Sequence, residues 1–135
     1  MTRIKKAFLV ILLLVVIIFV ASFLTGIVGK GFGDKIGVVE IEGVIADGKD
    51  AMEDIVKFKE DDSIRGVIVR INSPGGSVGP SQEIYQELKK LGGKKKVYIS
   101  ASSVCASGGY YIASAGEKIF ANPSTITGSI GVIME

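Results

Sequence analysis

The chain contains no histidine and a single cysteine among its 135 residues. Without histidine there is no Ser-His-Asp triad, no Cys-His pair and no imidazole ligand for a metal. The lone thiol, Cys105, has no internal disulfide partner and no second cysteine for a CxxC site. Beside Ala106 it reads as a small buried apolar residue, and as a nucleophile it would still need a base. Charge of either sign is not in excess. Sixteen basic residues oppose 14 acidic ones, net +2, which gives no footing for a nucleic-acid partner. The glycine-rich stretch 72–80 lacks a Walker lysine and G-x-G-x-x-G spacing, so no nucleotide cofactor is indicated. Asp50, Glu53 and Asp54 lack the spaced ligand set of a metal site and read as the solvated, dipole-favoured start of a helix. No cofactor and no metal are expected.

What is present begins with an apolar run. Residues 7–28 are 22 in a row without a charge or a proline, behind Arg3, Lys5 and Lys6. As a helix they would extend about 33 Å, enough for a bilayer core of about 30 Å. A cleaved signal peptide has a shorter apolar core, although Val20-Ala21-Ser22 has the small residues of a cleavage site. The expectation is one uncleaved transmembrane helix in the lipid bilayer. The basic lead keeps the amino terminus in the cytoplasm and everything after Lys30 on the outer face. This divides the chain into a cytoplasmic tip and anchor, 1–29, and a second domain, 30–135, entered through a glycine-bearing linker at 29–35.

Beyond the linker, strand and helix patterns alternate. Residues 36–45 are β-branched with partial alternation near Glu40 and Glu42, a half-exposed strand. Residues 49–60 place Met52, Ile55, Val56 and the stem of Lys59 at helical spacing. Residues 66–71 form a short apolar run, as a buried parallel strand does. After the glycine loop, residues 81–91 carry Ile84, Tyr85, Leu88 and Leu91 as a stripe, with Pro80 suited to the first turn. Lys94, Lys95 and Lys96 read as a solvated loop. Residues 97–101 are a third strand, 110–115 a short helix and 117–121 a fourth strand.

The chain is organised around residues 102–111. Ser107 falls between a strand and a helix with small residues on both sides. A substrate carbonyl can approach such a hydroxyl, and the first N–H groups of the helix can face an oxyanion. The other reading is a small-residue turn that lets a helix pack closely on a sheet, and Ser-Gly-Gly by itself does not choose between them. Gly75-Gly76, at the carboxyl end of the neighbouring strand, can approach the same ligand closely. Together with Ser107-Gly108 they could present two N–H groups to one oxygen.

Three ordered motifs then carry a resemblance. Residues 62–78 (DSIRGVIVRINSPGGSV), 106–113 (ASGGYYIA) and 121–132 (ANPSTITGSIGV), together with the amino-terminal apolar run, look like the signal peptide peptidase A family of membrane-anchored Ser-Lys peptidases. The resemblance implies an α/β fold of the Clp protease and crotonase type, a spiral of ββα units. It implies Ser107 as nucleophile, and Gly108 and Gly76 as oxyanion-hole donors, with Gly75 the fallback for Gly76. The family's base is a lysine about fifty residues past the serine, beyond Glu135. Lys118 does not match that position, so the chain reads as the truncated, amino-terminal part of a peptidase domain, inactive by itself. Cys105 stands where the family usually carries alanine. The implied activity is endopeptidase cleavage of remnant signal peptides or other membrane-associated polypeptides, by a homo-oligomer. A crotonase-type acyl-CoA enzyme would share the oxyanion geometry but not the anchor, and a non-catalytic membrane assembly module is the third reading.

Overall fold

The computed structural model describes residues 3–28 and 34–133. The chain forms two compact units, Met1–Gly33 and Asp34–Glu135.

In the first unit, helix α1 runs Arg3–Val28, 26 residues and so about 39 Å of rise. Its described side chains, residues 8–23, include large apolar groups from Phe8 to Phe23 that are all exposed. Among the described residues no helix is long and apolar enough to cross a membrane. The structure therefore does not itself supply the expected transmembrane helix. The stretch whose side chains are described, residues 8–23, is 16 residues long, and both ends of the expected span lie outside it. Most of the expected linker, residues 29–33, also lies outside the described residues.

The second unit alternates strand and helix: β1 (Lys35–Ile45), α2 (Lys49–Glu60), β2 (Ile64–Gly76), α3 (Val78–Gly92), β3 (Lys96–Ala106), α4 (Gly108–Ala113), β4 (Lys118–Ala121) and β5 (Ile126–Gly128). Every pairing is parallel. The order is β1-β2-β3-β4, with β5 on β3 as well. β4 pairs with Tyr98–Ala101 and β5 with Val104–Ala106, so two short strands share one edge of β3 end to end.

Alternation sets the two faces. Val39, Ile41, Val67, Val69, Ile71, Val97 and Ile99 point into the core with Ile55 of α2 and Ile84, Leu88 and Leu91 of α3. On α2, Val56 is exposed, contrary to the expected stripe, while Phe58 packs against the core. The room for that ring is made by Gly37, where a Cβ would lie 2.6 Å from Phe58 Cδ2. The opposite face leaves Ile36, Val38, Ile68 and Phe120 exposed.

The lysine run is not simply solvated. Lys95 Nζ donates to the carbonyls of Phe58 and Asp61, the latter at 2.6 Å, and so satisfies acceptors that the end of α2 leaves open. Lys94 pairs with Glu60 at 3.2 Å and Lys96 with Glu117 at 2.9 Å.

Strand ends differ most from the sequence expectation. β2 continues five residues past Ile71 to Gly76, and β3 five past Ala101 to Ala106. Small and polar residues that resemble a loop are kept extended by their neighbours: Val44 pairs with Gly75, Ile45 with Gly76, and Ser73 with Cys105. Helix α3 begins earlier, at Val78, and places Pro80 in its first turn. Helix α4 begins at Gly108 and stops at Ala113.

Candidate active site

Extending β2 and β3 brings their last residues side by side at the carboxyl edge of the sheet. Ser107 is the hinge between β3 and α4, with φ 50° and ψ −120°. That backbone region is sparsely populated for any residue with a Cβ, and it persists only where the surroundings over-determine it. Here both sides are pinned. The Ser107 N–H donates to the Gly128 carbonyl at 2.8 Å, and the Ser107 carbonyl accepts from Tyr111 N–H at 2.8 Å. The first bond depends on β5, which aligns Gly128 with Ala106. The sharp turn leaves Ser107 half-buried at the carboxyl end of β3, where it lines a cavity.

The glycines approach from β2. Gly75 has φ +100°, and a Cβ there would lie 2.7 Å from both Gly108 N and Ser107 Cβ. Its own N–H donates to Oγ of the buried Ser73 at 3.1 Å. A Cβ on Gly108 would lie 2.5 Å from Ser81 Oγ and 3.4 Å from Gly76 N. The structure thus brings Ser107, Gly108, Gly75 and Gly76 together at one point. Gly108 opens α4, so its N–H has no acceptor within the helix. With the Gly76 N–H beside it, the arrangement has the parts of an oxyanion hole.

A cavity of about 220 Å³ adjoins this point. Val78, Ile130 and Val132 give it apolar walls, and Ser81, Gln82 and Tyr111 line it too. The Tyr111 hydroxyl donates to Gln82 Oε1, and its ring stacks on Tyr85 with centroids 4.6 Å apart. Ser81 Oγ donates to the Ser77 carbonyl at 2.8 Å. The sequence reading missed these wall residues. Only Val78, Tyr111 and residues 130–132 carried a signal, because they fall inside the recognised motifs, while Gln82 looks like any exposed helical residue.

Two alternatives are narrowed by the same geometry. Cys105 is fully buried in the core, and desolvation raises its thiol pKa, which keeps it protonated and unreactive. Among the described residues no amine lines the cavity. Lys59 and Lys90 hold Glu87, Lys94 to Lys96 are engaged as above, and Lys118 opens β4 opposite Tyr98, low on the sheet.

Residues 89–135 match the model of peptidase family S49. Protease 4 of Haemophilus influenzae is 43% identical over 111 residues, covering 73% of this chain and 18% of that protein. The chain belongs to peptidase family S49, the signal peptide peptidase A family. This S49 chain spans between 18% and 36% of the length of the first three curated relatives it matches. Among solved structures, it superimposes on the membrane-bound stomatin-specific protease 1510-N, in a serine-to-alanine form. The TM-score is 0.66 at 24% identity, over 76% of this chain and 50% of the other. A mutant of ClpP1 from Listeria monocytogenes gives a TM-score of 0.55 at 25% identity, over 60% and 47% of the two chains. The parallel α/β sheet is therefore of the Clp protease type.

Proposed function

We propose that this chain is the amino-terminal part of a membrane-anchored serine endopeptidase with Ser107 as nucleophile. The observation that carries this is the strained turn at Ser107, with the Gly76 and Gly108 amides gathered beside it. Ser107 Oγ attacks a peptide carbonyl, and its proton passes to a lysine supplied from outside the described residues. A lysine can accept it only when desolvation lowers its pKa from about 10.4 toward neutrality. The carbonyl oxygen, now negative, is held by the two glycine N–H groups. Collapse releases the amine with that proton and leaves an acyl-enzyme, which water hydrolyses. Remnant signal peptides and other membrane-associated polypeptides are the substrate class suggested by the family, and the apolar cavity suits a small or aliphatic side chain beside the scissile bond.

The uncharged apolar run of residues 7–28 behind its basic lead supports the anchor, with Arg3, Lys5 and Lys6 cytoplasmic and the peptidase unit on the outer face. The exposed apolar face of the sheet supports assembly with further copies. The test is peptide turnover by the enzyme that carries this chain together with its lysine. Ser107→Ala is expected to abolish turnover and Cys105→Ala to leave it within about two-fold, as expected for a residue that does not touch the reacting atoms. Retained activity in Ser107→Ala would overturn the assignment.

A further inference from the structure

A second cavity of this unit is larger than the one beside Ser107. A space of about 660 Å³ opens at the opposite end of the sheet, where Arg65 and Lys96 stand near the starts of β2 and β3. Its charged lining is Arg65, Lys89, Lys94, Lys95 and Lys96 against one carboxylate, Glu117. Three of the cations have carboxylate partners. Arg65 pairs with Asp34 at 3.5 Å, Lys94 with Glu60 and Lys96 with Glu117, all with exposed side chains. Such pairs are weak and readily exchanged for another anion. Lys95 donates to two backbone carbonyls and has no carboxylate partner among the described residues. Lys89 forms no ion pair among the described residues. The cavity is a concave, multiply cationic site that peptide hydrolysis at Ser107 does not use.

The chain's own connectivity indicates which anion meets it. Asp34, the ion-pair partner of the lining Arg65, stands immediately before β1, so the polypeptide enters the unit at the rim of this cavity. Residues 29–33 are all that separate α1 from Asp34. Fully extended they reach about 20 Å. A bilayer holding α1 therefore keeps its phosphate headgroups within reach of these lysines, at a local concentration that a free solute does not attain.

We propose that this basic cavity binds the phosphate groups of anionic lipids in the membrane that anchors the chain, an inference that rests on α1 being the anchor but not on the peptidase reading. Binding there would turn the amino ends of the strands toward the bilayer. Ser107 would then stand off by the 11 residues of β3, about 35 Å at 3.3 Å per residue. The substrate would reach the serine as a segment drawn out of the membrane.

The test uses the full chain with lipid vesicles, flotation and mass-spectrometric mapping of lysine acylation. Flotation with purely zwitterionic phosphatidylcholine vesicles reports the anchor alone. Adding phosphatidylglycerol is expected to protect Lys89, Lys94, Lys95 and Lys96, with the protection lost at high salt. Lys49, at the other end of the unit, should not change. Each lysine near an anionic surface adds about five-fold to binding, so Lys89→Glu with Lys94→Glu should lower protection of the remaining sites by well over ten-fold. Equal labelling with and without phosphatidylglycerol would overturn the proposal. So would equal protection by millimolar inorganic phosphate on zwitterionic vesicles, which would identify a soluble-anion site. If the chain does not float with zwitterionic vesicles, the anchor fails. The proposal then fails with it, whereas flotation without salt-sensitive protection by anionic vesicles sinks the proposal alone.

Discussion

The turn at Ser107 stores strain that can be measured apart from chemistry. Its φ of 50° with ψ −120° belongs to a region that costs about 1–3 kcal/mol for a residue with a Cβ. Alanine retains the Cβ and the cost. Glycine removes both, but loses about 0.5–1 kcal/mol through the larger entropy of its unfolded chain. The Ser107 side chain forms no capping hydrogen bond, so loss of the hydroxyl is equal in the two variants and cancels in their comparison. Ser107→Gly should therefore be more stable than Ser107→Ala by about 1 kcal/mol. In a unit of this size that is a rise of about 4–8 °C in melting temperature. Both variants should lack turnover, so stability and activity separate cleanly. The assay is thermal and denaturant unfolding of the full chain in detergent or nanodiscs, followed by circular dichroism. If Ser107→Gly melts at or below Ser107→Ala, the strained-nucleophile reasoning is wrong.

Gly76→Ala places a Cβ 2.2 Å from the Ile45 carbonyl oxygen, backbone against backbone. It should cost about 1–3 kcal/mol and lower turnover with stability, as seen by unfolding and kinetics on one preparation. Lys90 and then Lys59 hold the Glu87 carboxyl below its ordinary pKa of 4.5. A depressed carboxylate contributes stability that is present above its unfolded pKa and lost as pH falls through the folded one. Glu87→Gln should therefore lower the melting temperature at pH 6 and flatten its fall between pH 5 and 3. An unchanged acid limb would exclude that pair of contacts as its source. Cys105→Ala removes a fully buried sulfur and should cost about 1 kcal/mol. In the native chain this thiol should stay unlabelled by maleimide until denaturant is added.

Much of the unit was legible in the residues themselves, because local rules decided it. Lys49–Glu60 formed as a helix over the expected span, and Ile84, Leu88 and Leu91 were buried as their spacing required. Parallel pairing followed from strands separated by helices. Other features depended on partners distant in sequence. Asn72 to Gly76 and Ser102 to Ala106 have loop-like composition, yet they are strand because Asn72, Gly75 and Gly76 pair with β1, Ser73 pairs with Cys105, and Val104 to Ala106 pair with β5. Val56 and Phe58 exchanged roles because Gly37 leaves space for a ring. Lys95 looked like part of a solvated run, but α2 ends where its amine can reach two carbonyls. β5, only three residues long, has no periodicity to read, and it exists because β3 offers an open edge beyond β4. Its Gly128 carbonyl fixes the Ser107 N–H. Sequence alone thus determined which residues were available for chemistry at Ser107, Gly76 and Gly108, since residue type and local pattern travel with the chain. Tertiary structure decided that they meet, because a strained turn and two converging glycine amides are held only by strands that lie far apart in sequence.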